Sequence, residues 1–161
     1  MGRIVNLQEL LSLRASLRSE GKRVVFTNGC FDILHRGHVE FLNQAKSFGD
    51  VLIIGLNSDS SVRRIKGKNR PIVREDDRAL ILANLIPVDF VTIFDEDTPL
   101  QTISALLPDI LVKGADWGLD EVVGKDTVER SGGVVRTIPL VPNHSTTDLI
   151  QTIVENFGDG R

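Results

Sequence analysis

Apolar residues run along this chain in two alternating rhythms. Short unbroken apolar runs stand at "RVVFT" (23–27), "VLIIGLN" (51–57), "VDFVTIF" (88–94), "DILVK" (109–113) and "GVVRTI" (133–138). Runs this short, rich in β-branched residues, read as strands buried on both faces. Between them apolar positions recur at helical spacing. Asn6, with Glu9 three residues on, reads as a helix start; Leu7, Leu10, Leu11, Leu13 and Leu17 form its apolar face, and Gly21 stops it. Val39, Phe41, Leu42 and Ala45 place a helix over Gly37 to Phe48, closed by Gly49. Thr98 and Pro99 read as the N-cap and first residue of another, and the last helix is expected from about Thr146 to Asn156.

Strands alternating with helices predict an α/β fold: a doubly wound, Rossmann-like, five-stranded parallel sheet with helices on both faces, preceded by an N-terminal helix. No repeat, low-complexity tract or Pro/Gly-rich linker interrupts the pattern, so residues 1–161 read as a single domain, with the N-terminal helix over about 6–20 and the core over about 22–157. In such sheets ligands bind beyond the carboxyl ends of the strands, where strand order reverses. Residues just after strands are therefore the candidates for chemistry.

Composition narrows the partners. A net charge of −3 over 161 residues gives no general pull toward nucleic acid or membrane. No apolar run approaches the ~20 residues that span a bilayer, and the N-terminus has no signal-peptide block. The single cysteine, Cys30, cannot form an internal disulfide, and no Cys/His set suits a structural zinc. A cytoplasmic protein is expected.

Two common phosphate fingerprints, G-x-G-x-x-G and G-x-x-x-x-G-K-[ST], are absent after the first strand. "TNGCFDILHRGH" (27–38) takes their place and ends at a predicted helix N-terminus, where free N–H groups and the macrodipole favour an anion. His35 and His38, on one face with Gly37 between them, can both reach that anion; the competing reading makes them surface caps. His144 with Ser145, Thr146 and Thr147 precedes the last helix, either as a second anion site or as a plain N-cap. The run from Ser61 to Arg74 carries Arg63, Arg64, Lys66, Lys68, Arg70 and Arg74 without an acidic residue. It is either a basic lid over a polyphosphate or a solvated loop; it lacks the aromatics that would stack nucleic-acid bases. Lys46, two turns after His38, either completes the helix dipole or binds phosphate.

The segments "NGCFDILHRGHVEFL", "GLNSD" (55–59), "RRIKGKNRPI" (63–72), "LVKGADW" (111–117) and "STTDLI" (145–150) resemble the nucleotidyltransferase superfamily marked by His-x-Gly-His and a Ser-Thr-Thr segment. Within it the chain is similar to the D-glycero-β-D-manno-heptose 1-phosphate adenylyltransferases, over about residues 6 to 154. That resemblance implies ATP and a sugar 1-phosphate as substrates, Mg²⁺ with the ATP, and ADP-heptose plus pyrophosphate as products, for lipopolysaccharide core. It implies catalytic roles for His35, His38 and Lys46. Thr27, Asn28, Gly29, Phe31 and Gly37, with Ser145, Thr146 and Thr147, would bind the nucleotide. Asp32, Asn57, Asp59, Arg63, Lys66, Arg70, Lys113 and Asp116 are candidates for substrate or phosphate contacts. A homodimer is implied. The family often fuses this domain to a sugar kinase, and none is present here, so the kinase is expected as a separate protein.

Departures from the related cytidylyltransferases sit in the last motif, where "VPNHS" replaces an "RTEGIS"-like start and leaves His144 without an assigned role. A cytidylyltransferase acting on a polyol or amino-alcohol phosphate is the alternative within the class, and a nucleotide-binding sensor without turnover is the alternative outside it. Cys30 is read as a small packed residue, since direct displacement at phosphorus needs no thiol. Trp117 either stacks on a ligand or covers the core.

Overall fold

A computed structural model describes residues 1–115, 118, 121–142 and 144–158. The elements are β1 (Arg3–Ile4), α1 (Leu7–Ser19), β2 (Val24–Gly29), α2 (Arg36–Lys46), β3 (Val51–Asn57), α3 (Asp59–Lys66), α4 (Glu75–Ala83), β4 (Phe90–Phe94), α5 (Leu100–Leu106), β5 (Ile110–Gly114), α6 (Lys125–Arg130), β6 (Val134–Ile138) and α7 (Thr146–Phe157). All strand pairs are parallel, in the order β1-β4-β3-β2-β5-β6. The sheet has six strands where the apolar runs predict five. The extra strand, β1, has two residues aligned Arg3↔Phe90 and Ile4↔Val91, too short to leave a periodic trace. It covers part of what would otherwise be the open edge of β4.

Alternation along each strand divides the core between the two faces of the sheet. On one face Val25, Leu52, Ile54, Val91, Ile110 and Val112 pack with Leu42 and Ala45 of α2 and Ala79 and Leu82 of α4. On the other, Val24, Phe26, Val51, Ile53 and Leu111 pack with Leu10 of α1, Ile103 and Leu106 of α5 and Val128 of α6. The predicted N-terminal helix forms with its capping box: Asn6 accepts from the Glu9 N–H at 2.9 Å, and Glu9 accepts from the Asn6 N–H at 3.0 Å. The helix expected over Gly37 to Phe48 runs Arg36–Lys46, and α5 begins one residue later than Pro99.

The amino-terminal edge of the sheet is closed by three aspartates. Asp50, Asp89 and Asp109 accept the N–H groups of Arg23, Leu52 and Val24 at 2.8, 2.7 and 2.7 Å. Buried Arg14 of α1 joins this edge, donating to Asp109 and to the carbonyls of Leu106 and Leu107 at the end of α5. No described helix is long and apolar enough to cross a membrane.

Candidate functional site

Strand order reverses at β2, which has β3 on one side and β5 on the other. A cleft of about 650 Å³ opens above the carboxyl ends of these strands. Its floor is Asn28, Gly29 and Asn57; one wall is the turn from β2 into α2, another is the start of α7, and Lys66 and Arg70 close a third side.

The turn leaving β2 is tight. Phe31 takes φ of +46°, in the left-handed region that costs a bulky side chain roughly 1–2 kcal/mol. Burial of the ring offsets this: Phe31 is 6% exposed and packs 5.2 Å from the His38 ring. Asp32, one residue on, lines the cleft but is itself buried. Its carboxylate accepts from Arg70 Nε at 2.5 Å and from the N–H groups of Ile72 and Val73 at 2.7 and 2.9 Å. Asp32 and Arg70 are thus each other's partners, and together they pin the basic segment to the β2 turn.

His35 is the N-cap of α2 but makes no side-chain capping bond. Its ring instead stacks on His38, with centroids 3.9 Å apart and planes 25° apart. Nδ1 of each ring is enclosed without a hydrogen-bond partner, which leaves Nε2 as the nitrogen that each can offer to the cleft. Burial, then the neighbouring His35, lowers His38 to about 4; burial and His144 lower His35, against an opposing pull from Asp148. Both rings are therefore largely neutral at pH 7 without a ligand, and a neutral imidazole can donate one N–H.

Gly37 lines the cleft and sits where two helix starts come close together. A Cβ there would lie 3.1 Å from the His35 ring and 3.3 Å from His144 Cβ, so glycine is what lets the α2 and α7 starts approach. Ser145 caps α7 by accepting from the Asp148 N–H at 3.1 Å, and Thr146 donates to the Ile33 carbonyl. Two helix N-termini, one lacking a side-chain cap, thus converge on the paired imidazoles. Such termini favour anions, and phosphates in particular.

Several sequence candidates stand elsewhere. Lys46 lies at the other end of α2, donating to Asp89 at 2.5 Å and to the Asp50 carbonyl at 2.6 Å. Its spacing from His38 shares a helix face, yet eight residues carry it ~12 Å along the axis, to the opposite edge of the sheet. Thr27 is fully buried beneath the floor with its hydroxyl unpartnered. Asp59 accepts from Arg78 at 2.7 Å outside the cleft, and Arg63 is exposed on α3 away from it. Asp116 and Trp117 lie outside the described residues. The basic run is only half a loop: residues up to Lys66 belong to α3, whose Arg64 binds Asp97 at 2.6 Å.

Two contributors carried no legible signal. Arg78, 1% exposed, donates to the carbonyls of Val73, Cys30 and Asn57 and to Asp59, tying the ends of β2 and β3 to the basic segment. Asp97, Thr98 and Pro99 line the cleft from the β4 side. Cys30 also lines it, its thiol pushed up chiefly by burial and so held as the unreactive form.

A doubly wound sheet with paired imidazoles and two helix N-termini at its switch point has the layout of a nucleotidyltransferase. The chain belongs to the cytidylyltransferase-like family, whose sequence model matches residues 26–152. It is 51% identical over 157 residues to the bifunctional protein HldE of Geobacter sulfurreducens and 50% identical over 153 residues to that of Aliarcobacter butzleri. These alignments take in 98% and 95% of the chain but 32% and 31% of those proteins, so the chain spans about a third of their length. Among solved structures, a lipopolysaccharide core biosynthesis protein from Thermoplasma volcanium matches with a TM-score of 0.62 and 30% identity, over 75% of this chain and 98% of that one. Pantoate-β-alanine ligase from Francisella tularensis matches at 0.61 and 17% identity, over 96% and 78%, a likeness of fold alone.

Proposed function

We propose that this domain transfers AMP from MgATP to D-glycero-β-D-manno-heptose 1-phosphate, giving ADP-heptose and pyrophosphate. The observation that carries the reading is the stacked, neutral His35–His38 pair between the starts of α2 and α7. Similarity to HldE and to a lipopolysaccharide core protein supports the sugar. In this reading an oxygen of the sugar phosphate forms a bond to the α-phosphorus while the bond to the bridging oxygen breaks, and that electron pair leaves on pyrophosphate. No enzyme-bound intermediate forms. Negative charge grows on the leaving group, where the imidazole N–H groups and helix N-termini stabilise it.

Among the described residues no cluster of three or more His, Cys, Asp or Glu side chains could hold a metal ion. Magnesium suits this site as part of the substrate, carried on the phosphate oxygens and water, since it keeps much of its hydration and needs few protein ligands. A sugar kinase would supply the 1-phosphate. A homodimer is the proposed working unit; exposed Leu80 and Ile81 on α4 and Ile153, Val154 and Phe157 on α7 offer it apolar surface.

A matrix of nucleoside triphosphates against sugar and polyol phosphates, read by pyrophosphate release, tests the proposal. ATP with heptose 1-phosphate is the expected best pair. Preference for CTP with a polyol phosphate would replace it with the cytidylyltransferase reading, and ATP binding without release would make the domain a sensor.

A further inference from the structure

We propose that Asn57 and Asp97 bind hydroxyl groups of the acceptor substrate, so that the β3–β4 end of the cleft selects a polyhydroxylated phosphate. The assignment rests on the nucleotidyl-transfer reading above and adds to it the residues that choose the acceptor.

A chain of hydrogen bonds fixes the way the Asn57 amide faces. Ser61, fully buried, gives its hydroxyl proton to the Glu96 carbonyl at 2.8 Å, because a carbonyl only accepts. With that proton spent, Ser61 Oγ can only accept from Asn57, whose Nδ2 lies 3.0 Å away. Oδ1 is left as the other end of an amide that lines the cleft on a residue only 3% exposed. No described donor reaches it. The other amide of the floor differs, since Asn28 Oδ1 accepts from Lys113 Nζ. Asp97 lines the same cleft, three residues past Phe94, which is paired with Asn57 between β4 and β3. Arg64 Nε donates to its Oδ1 at 2.6 Å, and among the described residues nothing donates to Oδ2. The turn that carries Asp97 is fastened to the start and body of α3: Ser58 and Ser60 donate to the Asp95 carboxylate, Ser61 to the Glu96 carbonyl and Arg64 to the Asp95 carbonyl. Asn57 Oδ1 and Asp97 Oδ2 are thus two acceptors held in place before any ligand arrives.

Two acceptors suit a donor and repel an ionised phosphate. Arg64 offsets the charge of Asp97, which favours a neutral hydroxyl over an ammonium group. Position assigns that hydroxyl to the acceptor substrate. Val51 and Ile53 of β3 pack on the α1, α5 and α6 face, and Asn57 continues that alternation. Asp97 leads into α5, whose Ile103 and Leu106 pack on the same face. His35 and His38, by contrast, stand at the start of α2, whose Leu42 and Ala45 pack on the opposite face. In-line displacement sets the attacking and leaving oxygens on opposite sides of the α-phosphorus. With pyrophosphate leaving toward the imidazoles and helix starts, the acceptor approaches from the side of Asn57 and Asp97, and its hydroxyls meet them there.

The test uses Asn57→Ala and Asp97→Ala in the full chain, with heptose 1-phosphate, its monodeoxy analogues and phosphoethanolamine as acceptors. Pyrophosphate release gives kcat and KM, and calorimetry gives the affinity for a non-hydrolysable ATP analogue. Asp97→Ala is expected to lower kcat/KM for heptose 1-phosphate ~10–100-fold, the usual cost of a hydrogen bond to a charged group, and Asn57→Ala ~3–10-fold. Affinity for the ATP analogue should stay within about twofold of wild type, which also shows that the variants are folded. Each variant should be indifferent to the loss of one particular hydroxyl: a monodeoxy analogue that wild type uses poorly should cost that variant nothing further. A merely structural role predicts losses that multiply for every analogue, and that result would overturn the assignment. So would an ATP-analogue affinity that falls as far as acceptor use, an unaltered kcat/KM for heptose 1-phosphate, or a wild-type preference for phosphoethanolamine. Should Asn57→Ala fail to fold, Asp97→Ala, on an exposed turn, and the monodeoxy series still decide. A wild type that releases no pyrophosphate from any pair removes the reading beneath the assignment as well, and so is told apart.

Discussion

Nucleotide binding near pH 6 should draw a proton onto His38. In the free protein the ring sits near 4, lowered first by burial and then by His35, so at pH 6 about 1% of molecules carry the charge. A triphosphate against the ring reverses the balance. One full negative charge at ~4 Å contributes about 4 kcal/mol at an effective dielectric of ~20, or about 3 units, which brings the ring to roughly 7. Binding at pH 6 should then take up about half a proton or more, and affinity should rise as pH falls from 7 toward 5. Titrating a non-hydrolysable ATP analogue in two buffers of different ionisation enthalpy reads the uptake directly. His38→Ala, measured in parallel, subtracts the nucleotide's own protonation. The free protein supplies a second readout. A histidine whose folded value lies below its unfolded ~6.5 stabilises the fold fully above pH 6.5 and progressively loses that contribution as pH falls toward 4, by at most about 3 kcal/mol. Equal proton uptake by wild type and His38→Ala would refute the account of a buried, neutral ring waiting for phosphate.

Arg78→Met leaves three carbonyls and Asp59 without their donor in a buried setting, which should cost about 3–5 kcal/mol and lower Tm by roughly 10 °C in a thermal melt. Lys66→Ala should raise KM for ATP and flatten its salt dependence, while exposed Arg63→Ala should leave both near wild type in the same kinetic series. Cys30→Ala should keep most of its turnover, with stability reduced by about 1 kcal/mol, because the thiol packs at the rim and its pKa is raised; loss of activity in the folded variant would contradict this.

The long elements and the turn from β2 into α2 were legible because each satisfied several rules at once. "VLIIGLN" is apolar throughout because β3 is central and buried on both faces, and α1 announced itself by a capping box that forms as written. His35 and His38 stood out in the sequence as a polar pair at a strand-to-helix junction, and the structure stacks their rings at the cleft. β1 stayed hidden because two residues carry no period, and its place depends on a vacancy at β4. Arg78 stayed hidden for a different reason. Within "REDDRALIL" it reads as one more surface charge, and only the approach of the β2 turn, the end of β3 and the basic segment encloses it. Asp32 and Arg70 looked like independent ligands for substrate, yet each satisfies the other across 38 positions of sequence, a pairing that local spacing cannot express.

Lys46 shows why the two edges of this sheet do different work. Each helix that follows a parallel strand runs back across the sheet, so its first turn stands at the carboxyl edge and its last at the amino edge. First turns bring unpaired N–H groups and positive potential, which suit phosphates. Last turns bring carbonyls, and beside them Asp50, Asp89 and Asp109 accept N–H groups at the starts of β2 and β3. A lysine at that edge meets negative charge from Asp89 and from the helix end together, which is where Lys46 is held. Same-face spacing therefore identifies partners only within about one turn. Over two turns the direction of the helix decides: it sets His35 and His38 at the carboxyl edge beside the cleft and Lys46 at the amino edge against Asp89 and the Asp50 carbonyl.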